Sequence, residues 1–182
     1  MKRQSMDMTE GNIWKLLSLF AVPLLFGNLF QQLYNTVDSI IVGNFVGKNA
    51  LAAVGSTTAL INLMINVFVG LSIGANVLVA QYSGAKKLKD LEETVHTAMM
   101  LALAGGFFLI FVGVFFSGPM LGLMGTPDDV LPLAALYLKI YFIGMPATLT
   151  YNFGAAILRA VGDTRRPLYF LLFAGAVNVV LN

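Results

Sequence analysis

The chain has 182 residues, of which 58% are hydrophobic and 11% are charged, with a net charge of +2 and a mean hydropathy of +0.80. So little polar surface excludes a soluble domain and indicates an integral membrane protein of the all-α class. The absence of cysteine excludes disulfides, thiolate metal sites and cysteine nucleophiles.

Apolar stretches of about 20 residues, the length that crosses a hydrocarbon core of about 30 Å, predict a polytopic helical bundle. We expect four complete spans and one truncated span. Pro23 and Pro146 are the expected bend points of the first and fourth spans, because an internal proline removes a helix hydrogen bond. The approximate limits of the five helices are 14–42, 51–82, 95–116, 132–158 and 168–182.

A secretory signal peptide is the alternative interpretation of the N-terminus, because Lys2 and Arg3 precede the apolar run 16–26. No small-x-small cleavage site follows that run, and apolar character resumes after Asn28. A first membrane helix is therefore favoured.

Basic residues are distributed unequally between the two ends of the predicted spans, and cytoplasmic loops accumulate Lys and Arg. Nine of the eleven basic residues fall on one side and Lys48 falls on the other, while Lys139 lies inside the fourth span. We therefore predict a multi-pass protein of the inner or plasma membrane with a cytoplasmic N-terminus. The nine residues are Lys2, Arg3, Lys15, Lys86, Lys87, Lys89, Arg159, Arg165 and Arg166.

Polar residues recur on one face of the first helix, where the segment QQLYNTVDSIIVG occupies residues 31–43. Asn28, Gln31, Asn35 and Asp38 are spaced by three, four and three positions, which places them on the same face. An ionised aspartate near a bilayer centre costs about 2.5 to 3.5 kcal/mol, so this face should meet other helices or a water-filled cavity. Alternatively, Asp38 lies at the outer end of the helix and its carboxylate reaches interfacial water.

Other isolated polar residues favour structural interpretations. Asn62 and Asn66 share a face of the second helix, where helix packing is the favoured role. His96 stands close to a cytoplasmic helix end, which favours an interfacial position over a proton relay. Lys139 is expected to extend to the outer surface, with pairing to an internal acid such as Asp38 as the alternative.

The fifth span carries Asn178 and Asn182, which are four residues apart and share a helix face. Counted from Arg166, they lie about 18 and 24 Å into the membrane, a depth that a tilted first helix would also give Asp38. Amide oxygens together with a carboxylate suit a hard monovalent cation. Helix packing through interhelical amide hydrogen bonds is the alternative for this pair. The span is about 22 Å long, too short to cross, so we expect a longer polytopic protein.

These features resemble the multidrug and toxic compound extrusion (MATE) transporters. The matching pieces are the prolyl first helix with QQLYNTVDSIIVG, the second helix ending GANVLVAQYSGA, and ILRAVGDTRRP before the fifth helix. The resemblance covers the whole chain, which corresponds to a little under half of such a transporter. It implies a twelve-helix fold of two six-helix lobes, with residues 1–182 forming an incomplete N-terminal lobe. It also implies a cation-coupled antiporter that exports organic or drug-like compounds in exchange for Na⁺ or H⁺, with no other cofactor.

By the same resemblance, Asp38 matches the first-helix acid of the cation site in the N-terminal lobe. Asn178 and Asn182 match the polar pair beside it, and Pro23 matches the proline at which the first helix bends. Asn182 stands where some relatives have an acid, which weakens the case for proton coupling and leaves Na⁺ open. Further residues expected to line the cavity are Gln31, Tyr34 and Asn35.

The expected partners are a small organic substrate, membrane lipid and the missing C-terminal lobe of the same protein, and not nucleic acid. Two alternatives remain open. A lipid-linked oligosaccharide flippase of the same superfamily would need basic residues in its cavity, and this chain offers only Lys139. A non-transporting membrane interaction subunit would end naturally at Asn182. An enzyme is not expected, because no phosphate-binding glycine loop, metal-ligand spacing or nucleophile–base pair is present.

Overall fold

The structure is a computed structural model that describes residues 12–181, except for the side chains of Tyr34, Phe45, Val46 and residues 179–181. The predicted site residue Asn182 lies outside the described residues. Over residues 12–181 the chain is helical apart from short connections, and this range contains no β-strand. The elements are α1 (Ile13–Ile41), a π-helical turn (Val42–Val46), α2 (Lys48–Gly84), α3 (Leu88–Leu123), α4 (Leu131–Ile143), α5 (Met145–Ala160) and α6 (Arg165–Leu181).

The number of helices that could cross a membrane agrees with the sequence prediction. Within the described residues, α1, α2 and α3 are each long and apolar enough, and α4 with α5 makes a fourth span if the bent pair counts as one. The 17 residues of α6 correspond to about 25 Å of helix, which makes it the short fifth span. The predicted all-α helical bundle is therefore confirmed.

The helix α3 extends seven residues beyond the predicted span at each end. It begins at Leu88 rather than Val95 and ends at Leu123 rather than Phe116. The charged segment 88–94 is too polar for a hydropathy window, yet it forms an ordinary helix start with Asp90 in the first turn, where an acidic side chain favours the helix dipole. Hydropathy detects the part of a helix that lipid tolerates, not the residue at which the helix ends.

The fourth span breaks at Gly144, where α4 and α5 meet at an angle of 50°. The bend predicted at Pro146 is confirmed, although it is displaced by two residues. Proline is accommodated in the first turn of a helix because its missing N–H would have no partner there, so α5 begins just before Pro146. Pro23 lies inside α1, and the helix continues on both sides of it.

The helices α2, α3, α4 and α5 pack into a four-helix bundle with an apolar core. Glycines on α3 allow close approach to the bent α4–α5 span, because a Cβ at Gly113 would overlap Phe142 and a Cβ at Gly106 would overlap Pro146. This packing holds the break at Gly144 against the middle of α3. Fully buried side chains of the core include Leu109, Leu121, Leu138, Phe142, Leu149 and Phe153.

The helix α1 packs mainly against α6, which also contacts α5. The α1–α6 contact is at the buried Gly27, where a Cβ would lie 3.6 Å from a side-chain carbon of Leu171 and 3.7 Å from one of Leu168. The α1–α6 pair joins the bundle through the π-helical turn with Gly47, at φ 108°, and through residues 161–164. The molecule is therefore a four-helix bundle with an α1–α6 pair beside it.

Candidate functional site

Asp38 lies three residues before the end of α1 and is half-buried. Its carboxylate interacts electrostatically with Tyr137 on α4. The backbone carbonyl of Asp38 accepts a hydrogen bond from the N–H of Val42, where the helix widens into the π-helical turn. Single π turns are frequent at functional sites. Asp38 thus lies within electrostatic reach of the four-helix bundle.

The position of Gly27 shows which face of α1 is turned toward α6. Asp38 follows Gly27 by 11 residues, which is about three full turns and about 16 Å along the helix axis. Side chains separated by whole turns share a face, so Asp38 lies on the side of α1 that packs against α6.

Asn178 occupies the corresponding side of α6. It follows Leu171, which contacts α1 at Gly27, by seven residues, which is about two turns and about 10 Å. Short connections reverse the chain between consecutive spans, so α1 and α6 run in the same direction. Asp38 and Asn178 therefore lie on facing sides of the two helices, at heights that differ by about 6 Å.

The side-chain oxygen of Asn178 is buried, and no residue in the described part of the chain donates a hydrogen bond to it. Buried polar atoms normally have a partner, and an exception calls for a water molecule or an ion. A carboxylate and a neutral amide oxygen are ligands of the kind that hard cations prefer. Asp38 and Asn178 thus offer the types of oxygen ligand that suit a monovalent cation.

The other polar residues predicted on α1 flank this contact. Gln31 and Asn35 are exposed, at about 40° and 80° around the helix from Gly27. The side chain of Tyr34 lies outside what the structure describes. The polar stripe therefore runs along the edge of the α1–α6 contact, where its accessible members could meet water or a bound compound.

Two residues that the sequence assigned to the membrane interface are exposed: His96 on α3 and Lys139 on α4. Lys139 forms no salt bridge with any residue that the structure describes, so its alternative pairing with Asp38 is not found. A tyrosine on the same helix as Lys139, Tyr137, lies within electrostatic reach of Asp38.

Sequence reasoning missed two polar groups. Tyr137 forms a tilted aromatic pair with Tyr141 on α4, with ring centroids 6.2 Å apart. The i, i+4 spacing of two tyrosines in an otherwise apolar helix could have indicated a shared face. Thr150 on α5 has a buried hydroxyl oxygen without a hydrogen-bond partner among residues 12–181. A lone threonine in an apolar helix carries no comparable signal.

Comparison with protein families and curated proteins gives consistent matches. A family model described as MatE matches residues 23–182. The probable multidrug resistance protein YpnP of Bacillus subtilis is 33% identical to this chain, and the match covers 96% of this chain and 39% of YpnP. The probable multidrug resistance protein YoeA of the same organism is 35% identical, and the match covers 95% of this chain and 37% of YoeA. The FAD transporter of Shewanella oneidensis is 24% identical over 96% of this chain and 38% of its own. The chain spans about two fifths of the length of these relatives.

Solved structures show the same fold. A crystal structure of MATE in complex with MaD3S matches with a TM-score of 0.90 and 24% identity, over 100% of this chain and 40% of the solved chain. A MOP superfamily transporter from Pyrococcus furiosus, described as having a binding pocket of reverse polarity, matches with the same values. The arrangement of the α1–α6 pair beside a four-helix bundle is thus that of a known transporter fold.

Proposed function

Since the chain belongs to the MATE family, we propose that the full-length protein exports small organic compounds across a membrane in exchange for Na⁺ or H⁺. Members of this family are transporters rather than enzymes. The proposal is supported by the buried side-chain oxygen of Asn178, which has no hydrogen-bond donor among the described residues, and by the helical spacing from Gly27 and Leu171, which favours facing positions for Asp38 on α1 and Asn178 on α6.

The exchange has a simple physical basis at Asp38. An ionised carboxylate shielded from water is unfavourable unless it binds a cation or a proton, so the group tends to hold one or the other. The amide oxygen of Asn178 would serve as a second ligand for Na⁺, whereas a proton on the carboxyl group needs no such ligand. The relative importance of Asn178 therefore distinguishes Na⁺ coupling from H⁺ coupling.

Cation binding would also change which neighbour Asp38 interacts with. The Asp38 carboxylate lies within electrostatic reach of Tyr137 on the four-helix bundle. A cation bound between α1 and α6 would instead stabilise the α1–α6 pair. A ligand shifts a conformational equilibrium by its difference in affinity for the two states. Cation occupancy would therefore bias the position of α1, with Pro23 as the proposed bend point, and so the shape of the cavity.

The polarity of the site favours this proposal over a lipid-linked oligosaccharide flippase. A cavity for a phosphate-linked sugar needs basic side chains to meet the phosphate groups. Among the described residues, the polar groups near this end of α1 and α6 include the carboxylate of Asp38, the phenol of Tyr137 and the amide of Asn178, and Lys139 is exposed. These groups suit a cation better than an anion.

The test is gradient-driven export by the full-length protein in proteoliposomes, with ethidium as the transported probe. Asp38→Asn keeps the side-chain volume and removes the charge, so we expect normal insertion and loss of export driven by either a Na⁺ or a pH gradient. Asp129→Asn, at an exposed residue between α3 and α4, is the matched control and should transport like the wild type. Full export by Asp38→Asn with an unchanged response to both gradients would refute the coupling role. Failure of the wild type to export any compound would favour the interaction subunit.

The proposed orientation places the N-terminus in the cytoplasm of a cell whose plasma membrane the protein spans. The chain has no native cysteine among its 182 residues, so single cysteines can report accessibility. Cysteine introduced at Lys48 should react with an impermeant maleimide in intact cells, and cysteine at Lys87 should react only after the membrane is permeabilised. The reverse pattern would show that the orientation is wrong.

A further inference from the structure

The connection between α5 and α6 is closed by a helix-terminating motif. Gly162 has φ 82°, in the left-handed region that glycine adopts without strain. The N–H of Gly162 donates to the carbonyl of Arg159 at 3.0 Å, and the N–H of Asp163 donates to the carbonyl of Leu158 at 2.9 Å. This pair of bonds is the Schellman arrangement, which ends α5 and fixes the direction in which the chain leaves it.

The carboxylate of Asp163 then begins α6. One oxygen, Oδ1, accepts hydrogen bonds from the backbone N–H groups of Arg165 and Arg166, at 3.2 and 3.1 Å. The other, Oδ2, lies 3.0 Å from Nε of Arg166. Asp163 is only 5% exposed, so its negative charge is buried at the N-terminus of a helix, where the helix dipole favours it.

A further hydrogen bond ties the start of α6 sideways to α5. The hydroxyl of Tyr151, in the middle of α5, donates to the carbonyl of Pro167 at 3.2 Å. We call the set of Tyr151, Gly162, Asp163, Arg166 and Pro167 the α5–α6 clasp. It joins the four-helix bundle to the α1–α6 pair at the end opposite to Asp38.

The α5–α6 clasp is the base of the helix that carries Asn178. Asn178 lies 13 residues beyond Arg165, about 20 Å along α6, so a tilt of about 10° at the base would move it by about 3 Å. A displacement of this size exceeds what a ligand site tolerates, because second-shell groups hold ligands in place to within a fraction of that distance. The geometry of the clasp therefore controls whether Asn178 stays opposite Asp38.

We propose that Asp163 is a positioning residue for the cation site. Through the α5–α6 clasp it sets the tilt and rotation of α6 and so holds the amide oxygen of Asn178 in place. This inference rests on the proposed function for the role of the cation. Asp163 itself contacts neither the cation nor the exported compound.

Three variants separate the features of the clasp. Asp163→Ala removes the cap and the ion pair together. Asp163→Asn keeps an oxygen for the two backbone N–H groups, since asparagine caps helices as well as aspartate, but it loses the charge that pairs with Arg166. Gly162→Ala disfavours the left-handed turn by an independent route. Asp90→Asn is the matched control, because Asp90 also stands in the first turn of a helix, but its side chain is 45% exposed and its Oδ2 lies 4.0 Å from Nζ of Lys87.

The first readout is the apparent affinity for Na⁺ or H⁺ in gradient-driven ethidium export by the full-length protein. Loss of a second-shell partner commonly weakens ion affinity about 10- to 100-fold, so we expect at least about a tenfold loss for Asp163→Ala. Asp163→Asn should recover most of it, and Gly162→Ala should lose affinity in the same direction. The maximal rate at saturating cation should stay close to that of the wild type. A merely structural role would lower the amount of folded protein and the maximal rate together, with unchanged affinity.

The second readout measures the position of α6 without transport. Spin labels are placed on cysteines that replace Phe173 on α6 and Leu136 on α4, both exposed, in full-length protein without other cysteines. The distance distribution between the labels, measured by double electron–electron resonance, should shift or broaden by about 2 Å in Asp163→Ala, because Phe173 lies about 12 Å along α6 from Arg165 and a tilt of about 10° would move it by that amount. The control Asp90→Asn should leave it unchanged.

The two readouts separate this inference from the proposed function. Wild-type distances or wild-type cation affinity in Asp163→Ala would overturn the positioning role. If Asp163→Ala does not fold, Gly162→Ala carries the same comparison with the same criteria. If the wild type shows no cation-driven export, the proposed function fails, and unchanged distances would then overturn the positioning of α6 as well.

Discussion

Replacing Gly27 perturbs the contact between α1 and α6 in graded steps. An alanine Cβ at this position would lie 3.6 Å from a carbon of Leu171 and 3.7 Å from one of Leu168, both ordinary van der Waals distances. Alanine therefore fits without moving either helix. Leucine adds three carbons beyond that Cβ, where the side chains of Leu171 and Leu168 are already in van der Waals contact, so we expect these side chains and the two helices to move apart.

The two substitutions are expected to change the stability of the α1–α6 contact in different directions. Relative to glycine, alanine stabilises a helix by about 1 kcal/mol, and burial of its methyl group contributes about another 0.8 kcal/mol. Gly27→Ala should thus be neutral or stabilising. Overpacking by leucine costs about 1 to 3 kcal/mol. Because about 1.4 kcal/mol corresponds to a factor of ten in an equilibrium constant, this cost lowers the equilibrium constant for the α1–α6 contact about 5- to 150-fold.

The assay is the apparent cation affinity in gradient-driven export by the full-length protein, together with its thermal stability in detergent. Gly27→Leu should weaken cation affinity at least about fivefold, because in the proposed site the α1–α6 contact holds Asp38 opposite Asn178. Gly55→Leu is the control, since Gly55 on α2 is exposed and a Cβ there meets no atom within 4 Å. Wild-type cation affinity in Gly27→Leu, or equal damage by alanine and leucine, would refute the reasoning.

Two further predictions concern the four-helix bundle. Gly113→Ala should lower the free energy of unfolding by about 1 to 3 kcal/mol, because its Cβ would overlap Phe142 in a close-packed core. An unchanged melting temperature would contradict this packing. Tyr137→Phe removes a hydroxyl within electrostatic reach of Asp38 and should change the dependence of export on the Na⁺ or pH gradient without reducing the amount of folded protein. The control Tyr169→Phe, at an exposed residue, should leave the gradient dependence unchanged. Equal gradient dependence of the two phenylalanine variants would argue against a role for Tyr137.

The membrane class and the number of spans follow from composition and length because lipid tolerates few charges and sets the length of a crossing. The limits of α3 do not follow from them, because its charged first turns are helical although they are too polar to be recognised as part of a span. The break at Gly144 could be predicted approximately from Pro146. Its exact position depends on how the start of α5 packs against Gly106, which is a tertiary contact.

The polar residues of the site could be singled out because a carboxylate or amide inside an apolar helix is costly unless it has a partner. The pairing of α1 with α6 could not, since Gly27 is one of 18 glycines and nothing in its sequence context distinguishes it. Tyr137 was missed because tyrosine is common in membrane helices. The α5–α6 clasp was not predicted, because the sequence identified this segment only as a basic loop. The left-handed turn at Gly162 becomes evident only in the structure.

The central claim is that Asp38 and Asn178 bind one cation together. A double-mutant cycle of cation affinity tests it most directly, because residues that share a ligand show non-additive effects. With Na⁺ binding measured by calorimetry on the full-length protein, and protonation followed in parallel, Asp38→Asn and Asn178→Ala should each weaken binding of the coupling cation. The double variant should be no weaker than Asp38→Asn alone. Fully additive losses would show that the two residues act at separate places and would contradict the claim.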